Sequence, residues 1–510
     1  MPMLAVHDML SRTARDNPDK EAIVLGGQRL SFAELEDRAT RIAGFLRSRV
    51  DPGARVAMHG PKCVDEVAVI FAIVKAGAVM VHINPAFRDE QLQHVLAGTE
   101  PAAVFFHPSK EAAIARAAQR GLLPDVLIRT GGARASHGRL AALALGAIGA
   151  DWPRTPWPAA AVSEDDLAAL IYTSGTTARA KGIKVTHRIL SDATVVSAGV
   201  LENGPRDRLI SITPFSFDGA LSQLFTATLV GGTLVLQDST FPADIVRTLV
   251  TERITGFHAM PSLWRMMLNN HAALLEPPFP DLRYVSLIGE VFPERELSQL
   301  RRALGTTDFY MMYGTTEAFR STCLAPSELS RKPRSVGRPL PGVTITVVDE
   351  DGRSCAPGTV GEIVHSGAFV SPGYWKMDRN ATFRADGVHT GDLGMLDDEG
   401  YLYFVGRKDT MIKRLGHQVY PEEIEQCLTR IDGIAMAAVV CGQDDRCAPT
   451  IRAIVARAPG ATVTYQAVAR ACALELPHYM RPDEIEFCAA IPLTSTHKID
   501  RAALALAAAP

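Results

Sequence analysis

Short apolar runs recur through the first third of this chain, and they are continuous rather than alternating: "RVAMHG" at 55–60, "AVMVHINP" at 78–85, "PAAVFFHP" at 101–108 and "DVLIRT" at 125–130. A strand wet on one face alternates apolar with polar residues, whereas an unbroken apolar strand is buried on both faces and needs covering layers. Helical runs supply that cover. "SFAELEDRATRIAGFLRSR" begins on Ser31 with Glu34 three residues on, a capping-box pattern, and "CVDEVAVIFAIVKAGA" follows. The alternation predicts an α/β fold of layered, largely parallel sheets. A second such series resumes after residue 170 with "DRLISITPFSF", "ALSQLFTATLVGGTLVLQ", "ITGFHAMPSLWRMML" and "LRYVSLIGEVF".

With 510 residues the chain exceeds a single core, and its texture changes twice. A Pro/Trp-rich stretch, "DWPRTPWPAAAVSEDD", reads as a surface linker. From about Ser335, "VGRPLPGVTITVVDEDGRSCAPGTVGEIVHSG" is rich in Gly, Pro and β-branched residues and reads as a small antiparallel β unit closed by "GYLYFVGRKD". The last hundred residues alternate helices and strands again. The expected organisation is a large N-terminal domain over 1–406, its β unit at about 335–406, a hinge at 407–409 and a small α+β domain over 409–510.

Formal net charge is −3, with no basic block, so neither nucleic acid nor a membrane is expected as partner. The eight cysteines are scattered without a CxxC pair, which favours reduced thiols in the cytoplasm over disulfides or a zinc site. The first twenty residues are interrupted by charge, and no apolar run approaches the length of a membrane span.

Between two of these apolar stretches lies "LIYTSGTTARAKGIKVTH", Leu170 to His187. A Thr/Ser/Gly run after a strand offers backbone N–H groups and hydroxyls to an anion, Gly175 permits close approach, and Lys181 adds a mobile charge. By itself it also reads as an exposed polar turn. It is not a P-loop, since no GxxxxGK[ST] follows any strand.

Four further stretches accompany it: "YGTTEAFRS" from Tyr313, "TGD" from Thr390, "GRKDTMIKRLGHQVYPEEIE" from Gly406 and "PLTSTHKIDR" near the end. In this order and at these separations they resemble the adenylate-forming superfamily: acyl-CoA synthetases, luciferases and the adenylation domains of nonribosomal peptide synthetases. In texture the chain is similar to free-standing, exosortase-associated acyl-CoA ligases. The resemblance implies that a carboxylate attacks the α-phosphorus of Mg2+-bound ATP, releasing pyrophosphate, and that the thiol of CoA or of a carrier protein's phosphopantetheine then displaces AMP.

The resemblance also implies roles. Thr173, Ser174, Gly175, Thr176, Thr177 and Lys181 match the loop that grips the leaving phosphates. Glu317 matches the Mg2+ carboxylate, although a carboxylate near a helix N-terminus would look the same. Tyr313 matches the ring that stacks on adenine, with Gly314, Thr315 and Thr316 after it and the Gly289–Glu290 turn beside it. Asp392 matches the ribose acid, with Arg407 its companion. Lys498 matches the mobile catalytic lysine, Asp409 the hinge, and Lys413 to Gly416 the segment presented to the pantetheine arm. The implied catalytic set is Lys498, Thr176, Glu317 and Lys413.

Ala178, Ala180 and His497 replace residues usual in the family. In the acyl pocket, "PFSFDGALS" places Phe217 and Asp218 where amino-acid-activating members hold the substrate ammonium. Gly219, Ser222, His258, Ser286, Ile288, Met312, Phe319, Arg320 and Ser321 match the remaining lining. Several readings stand. Asp218 is a substrate ligand or a turn residue after a strand. His258 is a substrate contact or a satisfied core histidine. Arg320 is a pocket residue or a surface charge, and Asp218 with Arg320 forms a buried ion pair or binds two ends of a polar substrate. The expected substrate is a small polar carboxylic acid, with amino acids included. A short-chain or aryl acyl-CoA synthetase and a catalytically silent adenylate-binding protein are the alternatives.

Overall fold

The computed structural model describes residues 6–131, 142–146, 148, 162–173, 180–271, 279–288, 292, 294–377, 381–415, 417–443, 449–493 and 499–506. The expected layers are there. One sheet runs in the order Leu143–Ala144, Val126–Arg129, Ala103–Phe106, Arg55–His59, Val79–Ile83, Leu167–Thr173, Lys181–Thr186. Its pairings are parallel except the last, an antiparallel hairpin in which Thr173 faces Lys181.

The second sheet has nine strands. Tyr284–Ile288 lies between Gly256–Ala259 and Asp308–Tyr313, and Arg208–Ser211 between Gly256–Ala259 and Thr233–Leu236. These pairings are parallel, and the antiparallel pairings sit at the edges. Two helices, Val64–Lys75 and Asp218–Val230, are buried on nearly every side and belong to one hydrophobic cluster that includes residues of both sheets. All-round apolar sequence is what such a sandwiched helix requires. The capping box at Ser31 is formed, with Glu34 Oε2 accepting from the Ser31 N–H at 2.8 Å.

The Gly/Pro-rich stretch folds as a five-stranded antiparallel sheet containing Val343–Val348, Gly361–Gly367, Phe383–Arg384, Gly387–Leu396 and Leu402–Arg407. The last part of the chain is a smaller unit. Its sheet of Ile434–Gln443, Pro449–Arg457 and Glu484–Cys488 carries the helices Pro421–Thr429 and Tyr465–Glu475 around a core of its own. No helix among the described residues is long and apolar enough to cross a membrane.

Candidate active site

Parallel strands deliver their side chains to the carboxyl edge of a sheet, and loops there build sites. Tyr313 is the last residue of Asp308–Tyr313. It is buried, and its hydroxyl donates to Asp392 Oδ2 at 2.7 Å. Burial, reinforced by the Asp392 charge, raises the Tyr313 pKa well above its ordinary value, so the phenol keeps its proton. Asp392 and Arg407 are direct partners across the antiparallel pair Gly387–Leu396 and Leu402–Arg407. Arg407 Nη1 donates to Asp392 Oδ1 at 2.7 Å, while Nε and Nη2 reach the two oxygens of Asp409 at 3.1 and 3.2 Å. Burial opposes the Arg407 charge, yet Asp392 and Asp409 together hold its pKa above the usual value. Gly391 has φ +71°, and a Cβ there would sit 3.3 Å from Arg407 Nη2. Both facts explain the glycine of "TGD".

A second group gathers around Tyr374. Its hydroxyl donates to Glu317 Oε1 at 2.9 Å, and Lys181 Nζ lies 5.1 Å from the centre of its ring. Tyr374 is placed by an antiparallel bridge to Ile183 and by the Trp375 N–H donating to the Gly182 carbonyl at 2.7 Å. Tyr374 thus joins the base of the Thr/Ser/Gly loop to the acidic residue of "YGTTE", a link that motif reading missed. The only signal in the sequence is the turn-forming "SPGYW". Glu317 stands in a turn rather than at a helix N-terminus. Thr315 Oγ1, two residues before it, is buried without a hydrogen-bond partner.

The third group holds the residues expected to line an acyl pocket. Asp218 does not sit in a turn; it opens the helix Asp218–Val230, where the helix dipole favours a carboxylate. Half-buried Phe217 precedes it, buried Gly219 follows, and buried Ser222 lies one turn on. His258 and Ser286 are register partners on adjacent strands, and His258 Nδ1 meets Ser286 Oγ at 2.8 Å. Burial, with the Arg320 charge, pushes His258 down to about 3, so the imidazole is neutral. A Cβ on Gly219 would lie 3.1 Å from His258 Nε2. Ile288 ends its strand half-buried, and Met312 shares the Tyr310 face of its own strand.

Arg320 is no surface charge. It is 4% exposed, because the chain after Tyr313 folds back to form Thr322–Leu324 beside Asp308–Tyr313. Phe319 before it holds φ +52° while buried, a strained conformation for a bulky side chain. The Ser321 hydroxyl is engaged by His365 Nδ1 at 2.9 Å. Gly314 is close-packed: a Cβ there would lie 3.1 Å from the Phe319 carbonyl oxygen. Thr316 is half-buried.

Lys413 is exposed on the hairpin of Ile412–Arg414 with His417–Val419. Asp409 lies in the turn after Leu402–Arg407. Ser174, Gly175, Thr176, Thr177, Ala178, Gly289, Glu290, Gly416, His497 and Lys498 lie outside the described residues.

The profile of the AMP-binding enzyme family matches residues 10–375, and that of the AMP-binding enzyme C-terminal domain matches 423–498. The chain belongs to the AMP-binding enzyme family. Over 538 residues it is 31% identical to the L-proline–[L-prolyl-carrier protein] ligase of Streptomyces coelicolor, covering 100% of this chain and 98% of that protein. It is 30% identical to feruloyl-CoA synthase of an Amycolatopsis species, covering 96% of each. Tyrocidine synthase 3 of Brevibacillus parabrevis is 28% identical over 98% of this chain, which spans only 8% of its length. Among solved structures, ATP-bound MatB from Rhodopseudomonas palustris superposes with a TM-score of 0.86 at 27% identity, over 98% of each chain. A fold shared with family members runs through both the large part of the chain and the small C-terminal unit.

Proposed function

We propose that this AMP-binding enzyme activates a small polar carboxylic acid, amino acids included, as its acyl-adenylate and passes the acyl group to a thiol. A carboxylate oxygen of the acid attacks the α-phosphorus of ATP, and the bond from that phosphorus to the α,β-bridging oxygen breaks, with pyrophosphate leaving on that oxygen. The thiol sulfur of CoA or a carrier protein's phosphopantetheine then attacks the acyl carbon. AMP departs with the electron pair of the broken bond, and the thiol proton goes to solvent. The observation that carries this reading is the meeting of Tyr313, Asp392 and Arg407 at the end of one strand, with Glu317, Tyr374 and Lys181 grouped beside it.

In this reading Tyr313 offers its ring to adenine. Asp392, hydrogen-bonded by Arg407, accepts the ribose hydroxyls. Thr173 through Thr177 and Lys181 receive the departing phosphates, where fixed donors and a cation stabilise developing charge. A magnesium ion fits this chemistry: Glu317 would supply a hard oxygen ligand, and two residues before it the Thr315 hydroxyl is buried without a hydrogen-bond partner. Among the described residues there is no group of three or more potential protein ligands, so phosphate and water oxygens would complete the shell. Glu317 would hold it, and the ion would neutralise charge on the phosphates. Lys498 would act at the α-phosphate, borne on a C-terminal domain (409–510) that swings about the hinge 407–409 relative to the N-terminal domain (1–406).

The two named full-length relatives support different acceptors, a carrier protein in one and CoA in the other. A screen of ATP–pyrophosphate exchange over amino acids, short polar acids, aryl acids and long-chain fatty acids tests the substrate class. We expect exchange above background with one or a few small polar acids; preference for long-chain fatty acids contradicts the proposal. The aryl arm reads out the alternative that the feruloyl-CoA relative favours.

A further inference from the structure

Arg320 is the most costly group in the pocket. A guanidinium keeps its charge at any physiological pH, and burying a charge that lacks hydrogen bonds costs several kcal/mol. Here the side chain is 4% exposed, and neither Nε nor Nη1 has a hydrogen-bond partner. Asp218 acts on it electrostatically and partly offsets its burial, which nonetheless leaves its pKa below the ordinary value. The surroundings are arranged to keep it in place. Phe319 holds a strained backbone just before it, and Thr322, two residues on, is paired across the sheet with Tyr313. Its polar neighbour His258 is fixed by Ser286 and stays neutral, so it neither repels a cation nor balances one. A buried cation with two unused donor nitrogens, within electrostatic reach of Asp218 and His258, is suited to receive an acceptor that arrives with the substrate.

We infer that the acid activated by this enzyme carries a second anionic group, a carboxylate distal to the one that is adenylated, and that Arg320 receives it. The inference rests on the acid-activating function proposed above and narrows its substrate class to diacids. Asp218 then decides between two kinds of diacid. If its carboxylate faces an ammonium, the substrate is an acidic amino acid; otherwise it is a plain dicarboxylic acid.

The test is ATP–pyrophosphate exchange with matched pairs. These are aspartate against asparagine, glutamate against glutamine, and succinate and glutarate against their monoamides. We expect kcat/KM for the preferred diacid to exceed that of its amide by about 100-fold or more, the scale set by pairing a buried charge. In Arg320→Met we expect that advantage to collapse to within a few-fold, the diacid losing far more than its amide. Arg320→Lys should keep part of it. Thermal unfolding of both variants establishes that they fold.

Two results overturn the inference. One is a wild type that uses the amides or other neutral-tailed acids as well as the diacids. The other is an Arg320→Met variant that loses equally on both members of a pair, which would make Arg320 a structural group. Either leaves the acid-activating function standing. Absence of exchange with every acid of the wider screen overturns both.

Discussion

Asp392, in the proposed nucleotide group, is engaged on both carboxylate oxygens. The Tyr313 hydroxyl donates to one oxygen and Arg407 to the other, at 2.7 Å each. Hydrogen bonds to a charged group are worth roughly 1.5–3 kcal/mol each. Asp392→Asn keeps the shape, removes the charge and leaves Arg407 with Asp409 as its remaining counter-ion. We expect the KM for ATP to rise about 10- to 100-fold, with the KM for the acid little changed. Tyr313→Phe removes only the hydroxyl donor and should cost less, about 10-fold. Steady-state kinetics with each substrate varied in turn checks both. A larger effect on the acid than on ATP would move Asp392 out of the nucleotide site.

The element that sets the C-terminal unit in place is the helix Pro421–Thr429. Glu422 and Glu425 project from it to Arg501, whose Nη2 lies 3.2 Å from Glu422 Oε1 and 2.9 Å from Glu425 Oε1. Arg501 follows the Leu493–Ile499 bridge, so it ties down the segment just beyond Lys498. Gly406 packs against the same helix: a Cβ there would sit 2.7 Å from Glu422 Oε2. Burial pushes Glu425 up to about 7, against the opposing pull of Arg501. The groups facing it are Glu422, Arg501 and the Val439 N–H, which donates at 2.7 Å.

For a carboxyl whose folded-state pKa is raised, the folded chain binds the proton more tightly than the unfolded chain does. The contribution is therefore present below about pH 4.5 and lost as pH rises through about 7. We expect stability to fall by about 2–3 kcal/mol from this group between pH 5 and 8, and Glu425→Gln to flatten that slope. Denaturant unfolding at a series of pH values measures it; identical slopes in both proteins would contradict the assignment.

At the scale of the whole molecule, what the sequence made legible was local. The continuous apolar runs, the Ser31–Glu34 cap and the Gly/Pro-rich β unit depend on near neighbours and appear as read. Arg320 and Tyr374 depend instead on strand pairings, local for Arg320 and distant in sequence for Tyr374. Arg320 read equally well as a surface charge until the return strand Thr322–Leu324 buried it. Tyr374 reaches Glu317 and Lys181 because its segment adds to the strand Lys181–Thr186, a pairing that no periodicity announces. The same scale carries the proposed domain motion. Arg407 forks between Asp392 and Asp409, joining the proposed nucleotide group to the proposed hinge. Arg295 with Asp432 is an exposed pair linking the large part of the chain to the small unit, a contact weak enough to break on rotation.

The central claim is that the acid leaves the first half-reaction joined to AMP. Mass spectrometry of a reaction holding enzyme, ATP, magnesium and the preferred acid, with no thiol present, tests this most directly. We predict an acyl-adenylate, with mass equal to acid plus AMP less one water, and pyrophosphate formed in equal amount. ADP and inorganic phosphate in its place, or no acid-dependent product from folded protein across the full panel of acids, would contradict it.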